Sequence, residues 1–407
     1  MKDYSSYIGI IGGGIAGLSA GCALELQGIK TIVFERTDAV SAYGAGISIS
    51  PNALRVLDSL GIKNSFINQS CVPPSASFNY LNKNLRTIES TVVTSSRQKL
   101  IKAFHNRYIE LGGQILFDHE CKEIHQDACE ITFADDQSYR VKHILACDGI
   151  RSGIRQKYFP LSNEPIYSGY SAWRGIGISN SKKIEFHLGS GSHIVSYPID
   201  NNGQTSFVGI IKTPEISNDS WKIKGSKASL LDDFKDYDND IFSMLNSSED
   251  VYKWSIFIRP PLKSMYVKNI TLLGDAAHPM VPFLGQGGCM AIEDAYVFAA
   301  LAKKMDCDFD KAQNLYQKIR MQRANKIQAA SMFQAKLNHL ENPIAIFFRN
   351  LIIRYTSVVS IRLKGIWDYD VDKEIKKIIE KKDRCEAGVS VPAKALFLTQ
   401  VKYPDNI

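Results

Sequence analysis

The N-terminal part of the chain alternates apolar runs of strand length with helical periodicity. An apolar run at residues 7–11 is followed by the glycine-rich turn GGGIAG, a helical run to about Gln27 and a second apolar run at residues 30–34. Two short apolar runs that flank a helix predict a βαβ unit, in which the helix joins two parallel strands. A short helix is predicted at residues 51–60, because Pro51 suits a first helical turn.

A longer helix is predicted to begin at Ser95. Ser95 and Gln98 match a capping box, in which each side chain satisfies a free backbone N–H of the other residue. The apolar side chains that follow share one helical face, and they are Leu100, Ile101, Phe104, Tyr108 and Leu111. We expect this helix to stop at Gly112 and Gly113, because glycine suits the C-terminal end of a helix.

Short strands are predicted through the middle of the chain. Residues 114–147 contain a hairpin loop at ADDQS (134–138), and residues 167–211 contain a second turn at DNNG (200–203). A last buried strand is predicted at residues 269–273, before a glycine-rich turn, a helix to about Lys304 and helical periodicity at residues 311–339. Parallel βαβ segments around an antiparallel block predict an α/β domain interrupted by a sheet domain.

The composition is that of a globular chain. Of the 407 residues, 44% are hydrophobic and 22% are charged, which suggests two or three domains and excludes a disordered or collagen-like chain. The 49 Lys and Arg residues exceed the 42 Asp and Glu residues by 7, and this excess is spread along the chain. Such a balance tolerates an anionic ligand but predicts no nucleic-acid partner.

The cysteines and the apolar stretches give expectations about compartment. Eight cysteines lie far apart without a C-x-x-C pair, so neither a disulfide framework nor a metal site is predicted. The N-terminus lacks the basic start and long apolar core of a signal peptide. Four basic residues interrupt the apolar stretch at 343–367, so no transmembrane segment is expected. We therefore expect a soluble cytoplasmic protein, either a monomer or a homodimer.

The glycine turn after the first strand is the first candidate site. Gly12, Gly14 and Gly17 form G-x-G-x-x-G between a strand and a helix, and Glu35 ends the second strand. The first glycine permits the tight turn, the second lets a pyrophosphate approach the backbone, and the third lets the helix pack on the strand. The helix N-terminus favours the phosphates, and the acid suits ribose hydroxyls but repels a 2′-phosphate. The pattern predicts a dinucleotide site for NAD or FAD rather than tightly held NADP.

Two later segments favour flavin. CDGIRSGIR (147–155) follows a predicted strand, although an Asp-Gly turn alone is also typical of an ordinary loop. In LLGDAAHPMVPFLGQGGCMAIEDA (272–295), a buried strand leads to Asp275, and Gly285, Gly287 and Gly288 open a helix. Asp275 can accept hydrogen bonds from a polyol chain. The bare helix N-terminus carries roughly half a positive charge, which would stabilise a reduced flavin ring.

These three motifs, in this order and spacing, resemble the FAD-dependent aromatic hydroxylases, single-component monooxygenases similar to para-hydroxybenzoate hydroxylase. The nearest branch is that of salicylate hydroxylase and 3-hydroxybenzoate 6-hydroxylase. Further stretches resemble it, namely YGAGISISPNALRVLDSLGI (43–62), YSAWRGI (170–176), HIVSYP (193–198), WSIFIRPP (254–261) and WDYD (367–370). The resemblance covers most of residues 7–330 and is poor in the tail.

The resemblance implies a Rossmann-like FAD-binding domain with an inserted, mainly antiparallel β-sheet substrate domain and a C-terminal helical segment. The implied FAD-binding domain is discontinuous, at residues 1–75, 97–165 and 266–335. The substrate domain would comprise residues 76–96 and 166–265, and a helical cap would comprise residues 336–407.

The resemblance also implies the residues that bind the cofactor. Gly12, Gly14, Gly17 and Glu35 would hold the ADP half of FAD, with Arg36 beside the adenosine and Arg97 against the phosphate and ribityl region. Asp148 and Gly149 would serve FAD and a transient NADH or NADPH. The full set of implied FAD ligands is Gly12, Gly14, Ala16, Gly17, Glu35, Arg36, Arg97, Asp148, Gly149, Asp275, Pro282, Gly285, Gln286, Gly287 and Gly288.

The implied reaction uses NAD(P)H and O2 to hydroxylate a small aromatic substrate through a flavin hydroperoxide. A phenol needs a base, and His193 is the candidate, with an exposed strand histidine as the alternative. Arg174 and Tyr197 are candidates for binding a phenolic or anionic substrate, although sheet-lining roles are equally compatible, and Gln286 would lie near the substrate. His278 is expected to be structural.

Other functions remain open. Related flavoproteins act on polycyclic antibiotics such as tetracyclines, epoxidise isoprenoids or reduce double bonds, and a non-enzymatic flavin sensor is a further alternative. Residues 343–363 are predicted as an amphipathic helix packed on the body, with a membrane-surface contact or a lid over an apolar substrate as alternatives.

Overall fold

The computed structural model describes residues 1–39, 46–159, 164–214 and 224–386. The described residues form seventeen strands, β1 (Lys2–Ile11), β2 (Thr31–Phe34), β3 (Gly46–Ile49), β4 (Ser75–Tyr80), β5 (Lys83–Glu89), β6 (Val93–Ser96), β7 (Gln114–Leu116), β8 (Cys121–His125), β9 (Glu130–Phe133), β10 (Ser138–Ala146), β11 (Ile166–Ile178), β12 (Ile184–Leu188), β13 (Ser192–Pro198), β14 (Gln204–Lys212), β15 (Val251–Ile258), β16 (Tyr266–Val267) and β17 (Ile270–Leu272).

The same residues form twelve α-helices. They are α1 (Ile15–Leu26), α2 (Pro51–Ser59), α3 (Lys63–Ile67), α4 (Arg97–Glu110), α5 (Gly153–Tyr158), α6 (Lys227–Asp233), α7 (Asn239–Asn246), α8 (Gly287–Lys304), α9 (Phe309–Asn338), α10 (Pro343–Tyr355), α11 (Val358–Trp367) and α12 (Val371–Glu386).

The first sheet has eight strands around a parallel centre. Strands β17, β10, β1, β2 and β7 are neighbours in that order and run parallel, while β16 and the β8–β9 hairpin add antiparallel edges. The core strands β1, β2 and β10 are buried at their C-terminal ends, where their side chains are almost all aliphatic or aromatic. Parallel strands bring their C-terminal ends to one edge, and ligands of open α/β sheets bind there.

The second sheet has seven strands in the order β15-β11-β14-β13-β12-β4-β5. Every neighbouring pair is antiparallel except β12 and β4. Strands β3 and β6 form a separate two-stranded antiparallel sheet. The chain thus combines a parallel, helix-linked sheet with an inserted, mainly antiparallel one, which confirms the predicted α/β class.

Most local predictions are confirmed, with small shifts. Strands β1 and β2 are parallel and joined by α1, as the βαβ pattern predicts, and Pro51 occupies the first turn of α2. The capping box at Ser95 is wrong by one residue. The N-cap of α4 is Ser96, whose side chain accepts a hydrogen bond from the backbone N–H of Lys99. Ser95 lies on β6, paired with Ile47, and is fully buried.

The single helix predicted at residues 343–363 is also wrong. The structure has two helices, α10 and α11, bent by 71° at a break after Tyr355. No single helix of the described segments is long and apolar enough to cross a membrane. Only the bent pair α10–α11 meets the length and composition criteria. Contacts divide the chain into two units, residues 1–369 and 370–407, and α12 is the described part of the second unit.

Candidate functional site

The glycine turn joins β1 to α1 without side chains in the way. Gly12 has φ +108°, a conformation that other residues rarely adopt, and a Cβ there would overlap the carbonyl group of Cys147. A Cβ at Gly17 would overlap the carbonyl oxygen of Gly12. By contrast, nothing lies within 4 Å of a Cβ position on Gly14, which is the N-cap of α1 and gives it no side-chain cap. The first N–H groups of α1 therefore face open space that can hold a phosphate.

Glu35 lies beside this turn because β1 and β2 pair in register up to Ile11 and Phe34. Its Oε2 accepts a hydrogen bond from the backbone N–H of Gly13 at 2.7 Å, and its Oε1 accepts one from the backbone N–H of Thr37 at 3.0 Å. A carboxylate has further lone pairs, so these bonds fix its position and leave acceptor capacity for ribose hydroxyls.

The two flanking candidates differ in accessibility. Arg36 is exposed next to Glu35. Ala16 packs within α1 against Gly274, because a Cβ on Gly274 would meet the Cβ of Ala16 at 3.0 Å. Ala16 therefore sets how closely the glycine turn and the segment after β17 approach each other.

The Asp-Gly segment follows β10, the neighbour of β1 in the sheet. Gly149 has φ +79°, which permits the turn. The Oδ2 atom of Asp148 accepts a 3.4 Å hydrogen bond from the backbone N–H of Ile154, but its buried Oδ1 has no hydrogen-bond partner in the described structure. Burial raises the pKa of Asp148 above its ordinary value. An unpaired buried acceptor is costly, so Oδ1 is suited to a donor on a ligand.

Asp275 and Arg97 lie close enough to influence each other's charge, although the described residues form no ion pair between them. Asp275 follows β17, and Arg97 is the first residue of α4. Both side chains have accessible surface, and that surface faces an internal cavity that both residues line. Burial raises the pKa of Asp275 and lowers the pKa of Arg97, and each charge opposes the shift of the other. The pair offers an acceptor and a donor to a polar ligand within the body of the protein.

The last glycine segment opens α8. Gly285 has φ +62°, and neither Gly287 nor Gly288 has a Cβ contact closer than 3.3 Å. The N-cap position of α8 is Gln286, which provides no side-chain cap. Pro282 and Gly285 have accessible surface, and they line the cavity together with Gln286, Gly287 and Gly288. The N-terminus of α8 thus points bare N–H groups at the cavity, as the glycines predict.

The side chain of Gln286 is occupied by the protein. Its Nε2 donates to the Oγ of Ser50 at 2.9 Å, and its Oε1 accepts from the Nδ2 of Asn52 at 3.1 Å. Asn52 Nδ2 also donates to Glu293 at 2.7 Å. These bonds indicate that Gln286 shapes the start of α8 rather than holding a substrate with its amide. Ser50 and Asn52 could not be identified from the sequence, because a Ser-Pro-Asn helix start is common and does not indicate a site.

The cavity has a volume of about 1360 Å³ and extends from this helix start to the second sheet and to α9, α10 and α11. It brings together candidates that are far apart in sequence, namely Arg97, Arg174, His193, Tyr197, Asp275 and Gln286. Gly12, Gly14, Glu35 and Asp148 do not line it. The structure therefore separates a nucleotide region at the sheet edge from a cavity that begins at α8.

His193 is buried, with 1% of its surface exposed, so the alternative of an exposed strand histidine is wrong. Its Nδ1 lies 3.0 Å from Nε2 of His339, whose Nδ1 lies 2.8 Å from the carbonyl oxygen of Ala335. That carbonyl requires the proton on Nδ1 of His339, although Nε2 is also 3.4 Å from the carbonyl of Ile210. Nε2 of His339 then accepts from Nδ1 of His193, and Nε2 of His193 keeps its lone pair.

Both imidazoles are held neutral. Burial, together with the nearby positive charge of Arg349, lowers the pKa of His339 to about 4 and lowers the pKa of His193 well below its usual range. A neutral His193 can accept a hydrogen bond at physiological pH, and it is a weaker base than an ordinary histidine. His339 lies at the C-terminal end of α9, a position at which a sequence pattern gives no reason to expect a partner for a strand residue.

Arg174 and Tyr197 complete the polar part of the cavity. The guanidinium of Arg174 lies 5.6 Å from the ring centroid of Trp254, and burial and the charge of Arg97 lower its pKa to about 10. It forms no ion pair with a carboxylate of the described residues. Burial raises the pKa of Tyr197, which keeps its hydroxyl protonated. Both residues line the cavity, which places them where a substrate could reach them.

His278 belongs to a different cluster. Its Nε2 forms a 2.5 Å hydrogen bond with Asp294, and both side chains are buried. This contact agrees with the structural role expected for His278.

The described residues fit FAD. The open face at Gly14 suits the phosphates, and Asp275, which lines the cavity, suits the ribityl chain. The bare start of α8 suits the ring, and the unpaired Oδ1 of Asp148 is a further acceptor. The first part of the YGAGISIS stretch, residues 43–45, lies outside the described residues.

Comparison with known proteins gives the same assignment. The chain is 28% identical to 3-amino-4-hydroxybenzoate 2-monooxygenase of Streptomyces platensis over 84% of this chain and 90% of that one. It is 26% identical to 3-hydroxybenzoate 6-hydroxylase of Klebsiella oxytoca over 81% and 88% of the two chains. A salicylate hydroxylase substrate complex shares its fold, with a TM-score of 0.79 and 20% identity over 91% and 97% of the chains. The FAD binding domain family matches residues 6–331, and the chain therefore belongs to the FAD-dependent aromatic hydroxylases, a family of flavoprotein monooxygenases.

Proposed function

We propose that this enzyme uses NADH or NADPH and O2 to add one oxygen atom to an aromatic ring that carries a hydroxyl group. Bound FAD supplies the hydride and oxygen chemistry, and the protein supplies binding, orientation and electrostatics. The observation that carries the proposal is that His193, paired through Nδ1 with His339, and the half-buried Arg174 line the same cavity as the bare start of α8.

The cofactor would be held by residues of three separate segments. The turn at Gly12, Gly14 and Gly17 would bind the phosphates through backbone N–H groups, with Glu35 on a ribose. Asp275 and Arg97 would hold the ribityl and phosphate region. The N-terminus of α8 would stabilise negative charge on the ring through its dipole and its free N–H groups.

His193 would act as the base. Its Nε2 can accept a hydrogen bond from the hydroxyl of the substrate and take the proton as the ring becomes electron-poor during attack. His339 would position it, because the bond from His193 Nδ1 fixes the tautomer and the ring plane. Burial keeps Nε2 of His193 unprotonated at neutral pH but also makes the imidazole a weaker base. Proton transfer would therefore depend on the acidity that the substrate hydroxyl gains as its ring reacts.

Arg174 and Tyr197 would orient the substrate. A half-buried guanidinium without a carboxylate partner among the described residues favours a negative group, and a phenolate or a ring carboxylate supplies one. The protonated hydroxyl of Tyr197 is a hydrogen-bond donor. The apolar side chains around them, Ala76, Val195, Val208, Ile210, Phe283 and Leu284, keep water away from the reacting ring.

A substrate panel tests this proposal. Phenols and hydroxybenzoates are each added to the FAD-loaded enzyme, and the rates of NADH and NADPH oxidation are recorded together with the product mass. We expect at least one of them to accelerate nicotinamide oxidation and to gain one oxygen atom. If all of the phenols and hydroxybenzoates bind poorly and none accelerates nicotinamide oxidation, the proposed reaction is wrong.

The size of the cavity favours a second candidate, which is oxidation of a polycyclic compound. Part of the cavity of about 1360 Å³ lies beside Arg97, Asp275 and the start of α8 and would hold FAD, but its wall continues well beyond them along α9, α10 and α11. The panel therefore includes a tetracycline and an unsubstituted fused-ring phenol. Acceleration by these alone would favour the second candidate.

A further inference from the structure

The cavity is long and runs from the start of α8, past the second sheet, to α9, α10 and α11. Its polar candidates, Arg174, His193 and Tyr197, lie where the second sheet forms the wall. The remaining wall continues along α9, α10 and α11, away from these groups. A small aromatic acid would occupy only the polar part, and the rest of the wall would have no ligand to contact.

The outer wall is apolar. Ile327 and Phe333 of α9, Phe348 and Ile352 of α10 and Leu363 of α11 all line it. Four cations also reach this region. Lys326 of α9 is exposed, so its ammonium group can stay in solvent, and the other three have partners within the protein. Arg323 binds Glu293 at 2.7 Å, Arg349 donates to the carbonyl oxygens of Leu337 and Asn338, and Arg362 lies 5.3 Å from the ring centroid of Phe333. Apart from the exposed ammonium group of Lys326, the outer region therefore suits hydrocarbon rather than a polar group.

The cavity opens to solvent through apolar side chains. Phe333, Phe348, Ile352 and Ile361 line the cavity, and each is about half exposed or more. Large exposed apolar groups that border a cavity are typical of a ligand-binding surface. A compact polycyclic body would stop inside and leave these residues in water, whereas an extended chain would reach and cover them.

We propose that the substrate is an amphiphilic aromatic compound whose ring lies at His193 and Arg174 and whose long apolar chain lies between α9 and the bent pair α10–α11. This inference rests on the proposed function and specifies its substrate class. The break after Tyr355 allows both helices to contribute to the wall, since one straight helix would carry the later residues past the cavity. The apolar chain of the substrate is not altered in the reaction, and the oxygen atom is added to the ring.

Binding of a matched series of phenols tests this inference. Phenol and its propyl, hexyl and nonyl derivatives are titrated, below their solubility limits, into the oxidised FAD-loaded enzyme, and the dissociation constant is read from the change in flavin absorbance. We expect each added methylene group to tighten binding by about two- to fourfold, as burial of a methylene group predicts. The longer compounds are also expected to be hydroxylated on the ring.

Two adjacent phenylalanines provide a matched pair of variants. Phe348 lines the cavity and is 58% exposed, whereas Phe347 is 59% exposed and does not line it. We expect Phe348→Ala to weaken binding of nonylphenol by about five- to tenfold and to change phenol binding little. Phe347→Ala should leave the whole series unchanged.

Three results would overturn the inference. They are dissociation constants that do not depend on chain length, equal losses in the two variants, and tighter binding of a fused-ring phenol than of nonylphenol. If the phenols of every length neither perturb the flavin nor accelerate nicotinamide oxidation, the proposed function itself fails, and that result is distinct from hydroxylation without chain-length dependence.

Discussion

At His193, burial and hydrogen bonding have separable effects. Burial keeps the imidazole neutral, and the bond to His339 decides which nitrogen carries the proton. A neutral histidine without such a partner would interconvert between two tautomers, and one of them would present an N–H rather than a lone pair to the substrate. Two successive hydrogen bonds select one tautomer of His193. They join the carbonyl oxygen of Ala335 to Nδ1 of His339 at 2.8 Å and Nε2 of His339 to Nδ1 of His193 at 3.0 Å.

Replacing His193 tests this role directly. His193→Gln keeps hydrogen-bonding groups of similar reach but cannot take up a proton. We expect FAD to stay bound and the yield of hydroxylated product per NAD(P)H to fall at least tenfold, since a general base contributes roughly 10²–10⁴ to rate. Hydrogen peroxide and product are quantified together with oxygen uptake.

The control for this variant is His125→Gln, on the exposed end of β8. It should leave the coupling of oxygen use to product formation unchanged. Equal coupling in wild type and His193→Gln would remove His193 from the reaction.

At the scale of elements, a buried ion network joins α8 to α9. Arg320 of α9 contacts Glu293 at 2.7 Å and Asp294 at 2.6 Å, and these three side chains are completely buried. Arg323 adds a second 2.7 Å contact to Glu293. Glu293 also accepts a hydrogen bond from Nδ2 of Asn52, and the same amide group donates a second hydrogen bond to Gln286. The network therefore connects the packing of two helices to the position of the bare start of α8.

Arg320→Met should be strongly destabilising. The variant would leave the carboxylates of Glu293 and Asp294 buried with fewer partners, and breaking a buried pair typically costs about 3–5 kcal/mol. Urea unfolding followed by circular dichroism measures the free energy of unfolding.

Lys311→Met on the same helix is the comparison. Its 2.9 Å pair with Asp308 is solvent-exposed, so we expect a loss of about 0–1 kcal/mol. Similar losses in both variants would show that the buried network adds nothing specific.

The elements also show what the sequence could and could not predict. The motifs at Gly12–Gly17 and Gly285–Gly288 can be recognised in the sequence, because close approach of a ligand to the backbone requires glycines at fixed spacing within a few residues. The contact between His193 and His339 joins residues 146 positions apart and depends on where α9 ends, which periodicity locates only within a few residues. The α10–α11 break was missed because neither Thr356 nor Ser357 is a strong helix breaker.

At the scale of the whole molecule, FAD would bind residues from across the first 288 positions. The glycine turn, Arg97, Asp148, Asp275 and the start of α8 come from different elements of one compact unit. A ligand that binds only the folded state stabilises it by mass action, by about 2.7 kcal/mol at a hundredfold excess over Kd.

We therefore expect FAD to raise the thermal midpoint Tm of the stripped enzyme by several degrees. FMN, which lacks the adenylate half, should raise it much less, because it cannot contact the glycine turn and Glu35. Differential scanning fluorimetry at equal concentrations of the two cofactors measures the difference. Equal shifts would mean that the glycine turn contributes no binding energy.

The uncapped start of α1 has a consequence for how the protein matures. Gly14 gives the first turn no side-chain acceptor, and no acidic residue lies in that turn. The coenzyme phosphates would complete the helix from outside, so that loading and the final ordering of this turn are one event. Newly synthesised chains would then depend on the vitamin-derived coenzyme pool for protection from proteolysis, and starvation for riboflavin should lower the abundance of the enzyme as well as its activity.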